Sequence, residues 1–509
     1  MTISLTPEGL TAADVVAVAR GGEDLELSER SRVAIEATSA VIEGVLARGE
    51  VVYGVTTGFG ALADTVIPAA RSAELQVALI RSHAAGMGDP MEPEVVRAMM
   101  SLRARSLAMG YSGVRPLVVE TLVAVLNAGI TPVVPAHGSV GASGDLAPLA
   151  HCALALIGEG RVIDGAGTTV PAAEALSRAG ITPLTLRAKE GLALVNGTDG
   201  MLGMLVLALD DLARLAPTAD ITAAMSVEAL MGTDRVFAAD LTALRPQPGQ
   251  QTSAANLRRM LAGSAIVAAH RHGDDRVQDA YSLRCTPAVH GAVRDAADHA
   301  RRTAAHELRS AIDNPMILPD GRVESCGNFH GAPLAHAADL LAVATADLGA
   351  IAERRTDRIL DPHRSHGLPP FLAHDPGVDS GMMIAHYTQA AMVAENRRRS
   401  TPASVDTMTT SAMQEDHVSL GWAGLRRLRT MIGDLERILA VEAVIGARGI
   451  ELRGHDPAPA TAAVISALRR EVPGMGPDRV QAPELEAAHR LVADGSLLAA
   501  AETVTGELP

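Results

Sequence analysis

Apolar positions along much of this chain recur at helical spacing, the pattern of elements that bury one stripe against a core. Thr11 and Asp14 read as a capping box that opens a helix through Val15, Val16, Val18 and Ala19, and Gly21 with Gly22 stops it. A second helix is predicted from Ser28, with Val33, Ala37, Val41 and Val45 at four-residue spacing on one face. The segment VVYGVTTGFGALAD, from Val51, predicts a short extended piece entering a glycine-containing loop, a connection of the kind that tends to carry reactive side chains. After Gly144 the run DLAPLAHCALALIGEG predicts a helix, because Pro148 falls in its first turn, where a missing N–H is harmless.

From about Met201 the pattern turns to long helices between polar, Pro/Gly-rich loops. LLAVATADLGAIAERRTDRIL, ending near Leu360, and LRRLRTMIGDLERILAVEAVIGARGIEL, from Leu425, are two such helices, and loop signals concentrate from Asp361 to Gly381. Aromatic residues make up only 2% of the 509 positions against 48% hydrophobic overall, so the core must be built chiefly from Ala, Leu, Val and Ile. Such a composition favours helix over sheet. The expected fold is mainly α, with a smaller mixed N-terminal domain over residues 1–200 and a long-helix bundle over residues 201–509.

A formal net charge of −15 argues against a nucleic-acid partner, which would require a basic face. The run Arg397, Arg398 and Arg399 fits a solvated helix face or a subunit contact. Cys152, Cys285 and Cys326 are odd in number and scattered, which points to a reducing compartment, and their spacing suits no zinc site. The N-terminus lacks a basic region followed by an apolar stretch, and no apolar run approaches the ~18 residues of a membrane span. A soluble cytoplasmic enzyme of small substrates is expected, without metal or membrane.

Residues 138–151 read GSVGASGDLAPLAH, and Ala142, Ser143 and Gly144 at their centre can form an electrophile without an added cofactor. Gly144 has no Cβ, so a tight loop can press its amide nitrogen against the Ala142 carbonyl carbon. Loss of water from that adduct, and a second loss from the Ser143 hydroxyl, leaves a five-membered ring with an exocyclic methylene. Two other readings of the string do not fit its residues. A phosphate loop needs Gly-Lys-Ser/Thr at its end, and here the acid Asp145 follows Gly144. A serine-hydrolase elbow needs Gly-x-Ser-x-Gly, and the second glycine stands one place early. The N-terminal amides of the following helix would face the loop and favour negative charge there.

This string and several others, in order along the chain, resemble the ammonia-lyases that carry the prosthetic group MIO (4-methylidene-imidazole-5-one), and among them most closely the histidine-specific members. The resemblance runs from about Thr11 to the C-terminal region. It implies that Ala142, Ser143 and Gly144 form MIO autocatalytically, that the helices build a superhelical core like that of the fumarases, and that the protein is a homotetramer whose active sites draw on several subunits. It also implies roles for single residues. Tyr53, in YGVTTGFG, matches the mobile active-site loop and is the leading base; Tyr281, in RVQDAYSLRC, is the second catalytic tyrosine of only four in the chain. Arg284 would clamp the substrate carboxylate with its fork of donors, and Asn196 and Gln278 resemble the amides that bond the ring and the substrate. Phe329, in ESCGNFHGAP, matches the aromatic beside the ring.

His83 in RSHAAGMG and Glu415 in SAMQEDHVS match the histidine-specific pattern, where an acid accepts from an imidazole N–H or takes part in proton transfer. Taken singly, each has a plain alternative: a packing tyrosine, a salt-bridged arginine, a loop-anchoring asparagine, a satisfied core histidine. Cys326 before Gly327, and Met413 where many relatives have Asn, depart modestly from the family pattern. The expected reaction is elimination of ammonia from L-histidine to give urocanate. A tyrosine or phenylalanine lyase or an aminomutase, which would use the same electrophile, is the alternative, and a catalytically silent helical scaffold is the reading from another class.

Overall fold

The chain begins as its caps predict. In the computed structural model, which describes residues 2–274 and 276–509, the Thr11 hydroxyl accepts from Asp14 N at 3.2 Å and the Asp14 carboxylate accepts from Thr11 N at 2.9 Å. Helix Ala12–Val16 starts there, widens into a π turn over Ala17–Gly21 and ends on Gly22 at φ 70°. Ser28 caps helix Glu29–Arg48, but the face it buries is Ser31, Ile35, Thr38, Ile42 and Val45. Val33 is 57% exposed. Steps of four residues overshoot a 3.6-residue turn by about 40° each, so Val33, three steps from Val45, has rotated about a third of a turn away from the core.

The segment after Val51 is a turn rather than an extended piece. Val52 O accepts from Val55 N and Thr56 N, and the Thr56 hydroxyl accepts from Val52 N at 2.9 Å. Local threonine bonds of this kind compete with a strand ladder, and the chain folds back through a 3-10 turn at Gly60–Leu62. The predicted helices otherwise form, as Leu146–Leu156, Ala332–Leu360 and Gly421–Glu451, with Asp199–Ala229 opening the helical half. The architecture is mainly α, with only small sheets.

The chain divides into two compact units, each assembled from three separated stretches. The first comprises Met1–Leu207, Ala300–Asp339 and Pro402–Arg426. It holds the parallel pair Thr2–Leu5 with Asp24–Leu27 and an antiparallel sheet of Thr131–Pro132, Arg161–Ile163 and Thr169–Pro171. Trp422 is buried in it, and its indole N–H donates to Ala136 O at 2.9 Å, tying the approach to the Ala142 loop to a helix start. Burying such a side chain stabilises by about 2–3 kcal/mol.

The second unit comprises Ala208–His299, Leu340–Thr401 and Arg427–Pro509. Arg355 and Glu442, both fully buried, form a two-point ion pair at 2.5 and 3.1 Å, and Thr222 and Ser226 donate to the same carboxylate. Charges taken out of water persist only when paired in this way.

Two stretches, residues 190–229 and 332–360, are long and apolar enough by composition to cross a membrane, against the expectation that no run approaches that length. Scattered polar residues break the runs without lowering their mean hydropathy enough. The most apolar window of the first is wholly buried, and that of the second 56% buried.

Candidate active site

The Ala142–Gly144 loop is braced on both flanks. Ser419 Oγ donates to Gly141 O at 3.1 Å and Leu420 N to Val140 O at 2.9 Å. On the other side Asp145 N donates to Gly197 O at 2.7 Å. Ser139 Oγ accepts from Gly141 N at 3.1 Å and lies 3.2 Å from Gly144 O. Gly144 adopts φ +73°, and a Cβ there would lie 2.2 Å from Gly197 O. That oxygen belongs to the main chain, so no side chain fits and only glycine meets both demands. Ala142 is buried and Ser143 half-buried, which leaves the seryl hydroxyl as the accessible group of the triplet. A braced loop with glycine at its third position suits the ring closure that MIO requires.

Asp145 begins helix Leu146–Leu156 but does not cap it with its side chain. Its carboxylate turns inward, accepting from Met201 N at 2.9 Å and from Ser139 Oγ at 3.0 Å. Burial pushes its pKa up to about 7, against the pull of the Met201 amide and the Ser139 hydroxyl.

Ser143 Oγ donates to Glu415 Oε1 at 3.2 Å, and Thr410 Oγ1 donates to Glu415 Oε2 at 2.6 Å. Both Ser143 and Glu415 face a cavity of about 400 Å³, whose wall includes Tyr53, Asn314, Cys326, Phe329 and His417. Tyr53 Oη accepts from Gly60 N at 3.3 Å, which anchors the phenol at that wall. His330 stacks on His417 with ring centroids 5.6 Å apart.

His83 Nδ1 lies 2.9 Å from Leu79 O. A carbonyl only accepts, so Nδ1 carries the hydrogen and Nε2 presents a lone pair. Burial lowers the His83 pKa, while the Leu79 carbonyl and the charge of Glu415 oppose that shift. Asn196 ends helix Glu190–Val195 and is buried, its amide nitrogen donating to Asn314 O at 3.1 Å.

The remaining three expected residues lie on the second unit. Gln278 is exposed, and Tyr281, 71% exposed, starts the short helix Tyr281–Arg284. The Arg284 guanidinium sits 4.4 Å over the Tyr281 ring and donates to Asp279 O at 3.0 Å. The fold therefore gathers Tyr53, Ser143, Phe329 and Glu415 about one cavity of the first unit, and His83 and Asn196, in the same unit, are not among its lining residues. Sequence reasoning missed Asn314, Thr410 and His417. The Asn314-Pro315 dipeptide carries a turn signal, but nothing local marks the other two. Among the described residues no cluster of His, Cys, Asp and Glu has the makings of a metal site.

A helical fold that presents a braced Ala-Ser-Gly loop to a pocket of polar and aromatic groups defines a class of enzymes. Residues 10–470 match the family model described as aromatic amino acid lyase, and the chain belongs to that family. It is 59% identical to a histidine ammonia-lyase of Streptomyces avermitilis, over 100% of this chain and 99% of the relative. Among solved structures, histidine ammonia-lyase from Trypanosoma cruzi is 38% identical with a TM-score of 0.91, covering 99% of this chain and 96% of that one. Tyrosine aminomutase from Streptomyces globisporus is 37% identical with a TM-score of 0.94, covering 100% of both chains. Likeness of fold thus extends to enzymes named for different reactions, so the fold alone does not choose among them.

Proposed function

We propose that this ammonia-lyase eliminates ammonia from L-histidine to give urocanate. The Ser143–Glu415 contact carries the reading, because it sets an acceptor for an imidazole N–H within hydrogen-bond distance of the residue that becomes the electrophile. Sites built to bond a substrate N–H reject analogues that lack it. His83, with an imidazole lone pair to offer, supports the same orientation.

The Ala142, Ser143 and Gly144 segment would form MIO, which supplies an electrophile that makes the substrate nitrogen a better leaving group. Around it Tyr53 removes the β-proton, and Arg284 holds the carboxylate through two parallel N–H donors. Phe329 packs an aromatic face against the site, and Asn196 and Gln278 bond the amino and carboxylate groups. On the family resemblance we assign Gln278, Tyr281 and Arg284 to active sites shared between copies of the chain in a homotetramer. The three free cysteines suit a reducing, cytoplasmic setting.

Incubation with L-histidine, L-tyrosine and L-phenylalanine in parallel tests the reading. Urocanate and ammonia from L-histidine alone are the expected products. A β-amino acid from L-tyrosine would instead support the aminomutase reading, which the fold likeness to tyrosine aminomutase favours.

A further inference from the structure

Lys189 and Asp313 form an ion pair at 2.8 Å with both side chains wholly buried, and the elimination chemistry gives neither a task. Lys189 holds φ 72°, a conformation rare for a residue with a side chain. Burial pulls its amine below the ordinary range, and Asp313 opposes that shift. Three further groups meet the pair. Asn314 N donates to Asp313 Oδ1 at 2.7 Å, Asn196 Nδ2 lies 3.5 Å from the same oxygen, and the Cys326 thiol donates to Asp313 O at 3.3 Å.

An amide can present either end to a neighbour, but here the choice is forced. An ionised Asp313 and the Asn314 carbonyl can only accept, so the Asn196 NH2 must face them. Its carbonyl oxygen is left buried without any donor. Buried acceptors of this kind are uncommon and call for a partner. Asn196 precedes Gly197, whose carbonyl lies against Gly144, so the orphan belongs to the residue next to the wall of the Ala142–Gly144 loop. Asn314, which the same amide bonds, lines the cavity.

We propose that Lys189 and Asp313 are positioning residues that hold the Asn196 amide with its oxygen available to accept from the amino group of the bound amino acid. Lys189 pairs with the Asp313 carboxylate at 2.8 Å and holds it in place as an acceptor. A protonated or amidated Asp313 could donate to the Asn196 oxygen and would then compete with the Asn314 carbonyl for the orientation of that amide. The proposal rests on the lyase reading above.

Binding to the Ser143→Ala protein separates this role from turnover. The probes are L-histidine and 3-(imidazol-4-yl)propionate, which lacks the amine. Adding Asp313→Asn, or Lys189→Met should the first fail to fold, is expected to weaken L-histidine binding about tenfold and leave the amine-free analogue unchanged. In the Asn196→Ala background the same substitution should have no further effect. Equal loss of both ligands, or an undiminished loss in the Asn196→Ala background, overturns the proposal alone. A Ser143→Ala protein that binds neither ligand overturns the histidine reading, and this proposal with it.

Discussion

The Ser143 hydroxyl donates to the Glu415 carboxylate at 3.2 Å across a separation of 272 residues. The contact joins the residue that chemistry would consume in making the electrophile to the residue that would read the substrate ring. Replacing Ser143 with Ala removes the hydroxyl whose loss creates the methylene. Deamination of L-histidine is expected to fall at least about 1000-fold, a loss near 4 kcal/mol of barrier lowering. The mass of the peptide spanning residue 143 checks the cause: wild-type protein should lack two waters, and the variant should not.

Gly144→Ala tests the loop rather than the hydroxyl. The added Cβ would meet Gly197 O at 2.2 Å in a left-handed backbone, so a loss of about 3 kcal/mol or more in stability is expected. The Ser143 peptide should then keep its full mass although the serine is intact. Denaturant unfolding and peptide mass together read both effects.

Glu415→Gln keeps the shape and an acceptor for Thr410 but removes the charge. Its kcat/KM for L-histidine should drop about 10–100-fold, because an ionic hydrogen bond to the imidazole becomes a neutral one. Unchanged kinetics would remove Glu415 from substrate recognition.

Asp145 supplies a pH signature. Its carboxyl is raised to about 7 by burial, against 3.8 in the ordinary case, so the folded protein binds a proton that the unfolded chain has released. Stability from this group is complete at acid pH and declines as pH rises toward 7. Thermal midpoints followed between about pH 5 and 7 should show that decline in wild type and a flatter profile in Asp145→Asn. A steeper profile in the variant would contradict the sign.

The proposed sharing of active sites between subunits predicts complementation. Ser143→Ala and Arg284→Met chains, each inactive alone, should regain part of the activity when co-expressed, because some mixed assemblies would pair an intact Ser143 loop with an intact Arg284. No recovery in demonstrably mixed oligomers would place both residues in the same chain's site.

Local spacing by itself determined the helical class and the Thr11 and Ser28 caps, since each depends on groups within a few residues of one another, whereas the bar to any side chain at position 144 comes from the distant Gly197 carbonyl. Motif strings named Tyr53, Ser143, Phe329 and Glu415 as site residues, and all four line one cavity. Only the tertiary structure decided which side of helix Glu29–Arg48 faces inward, because exposure of Val33 depends on what packs against its neighbours. The same holds for the turn after Val51, where threonine side chains outcompete a strand. It holds most for Lys189 and Asp313, which no motif along the sequence singles out. They are partners across 124 residues in a buried pair, and burial with pairing is a property of contacts that no local window contains.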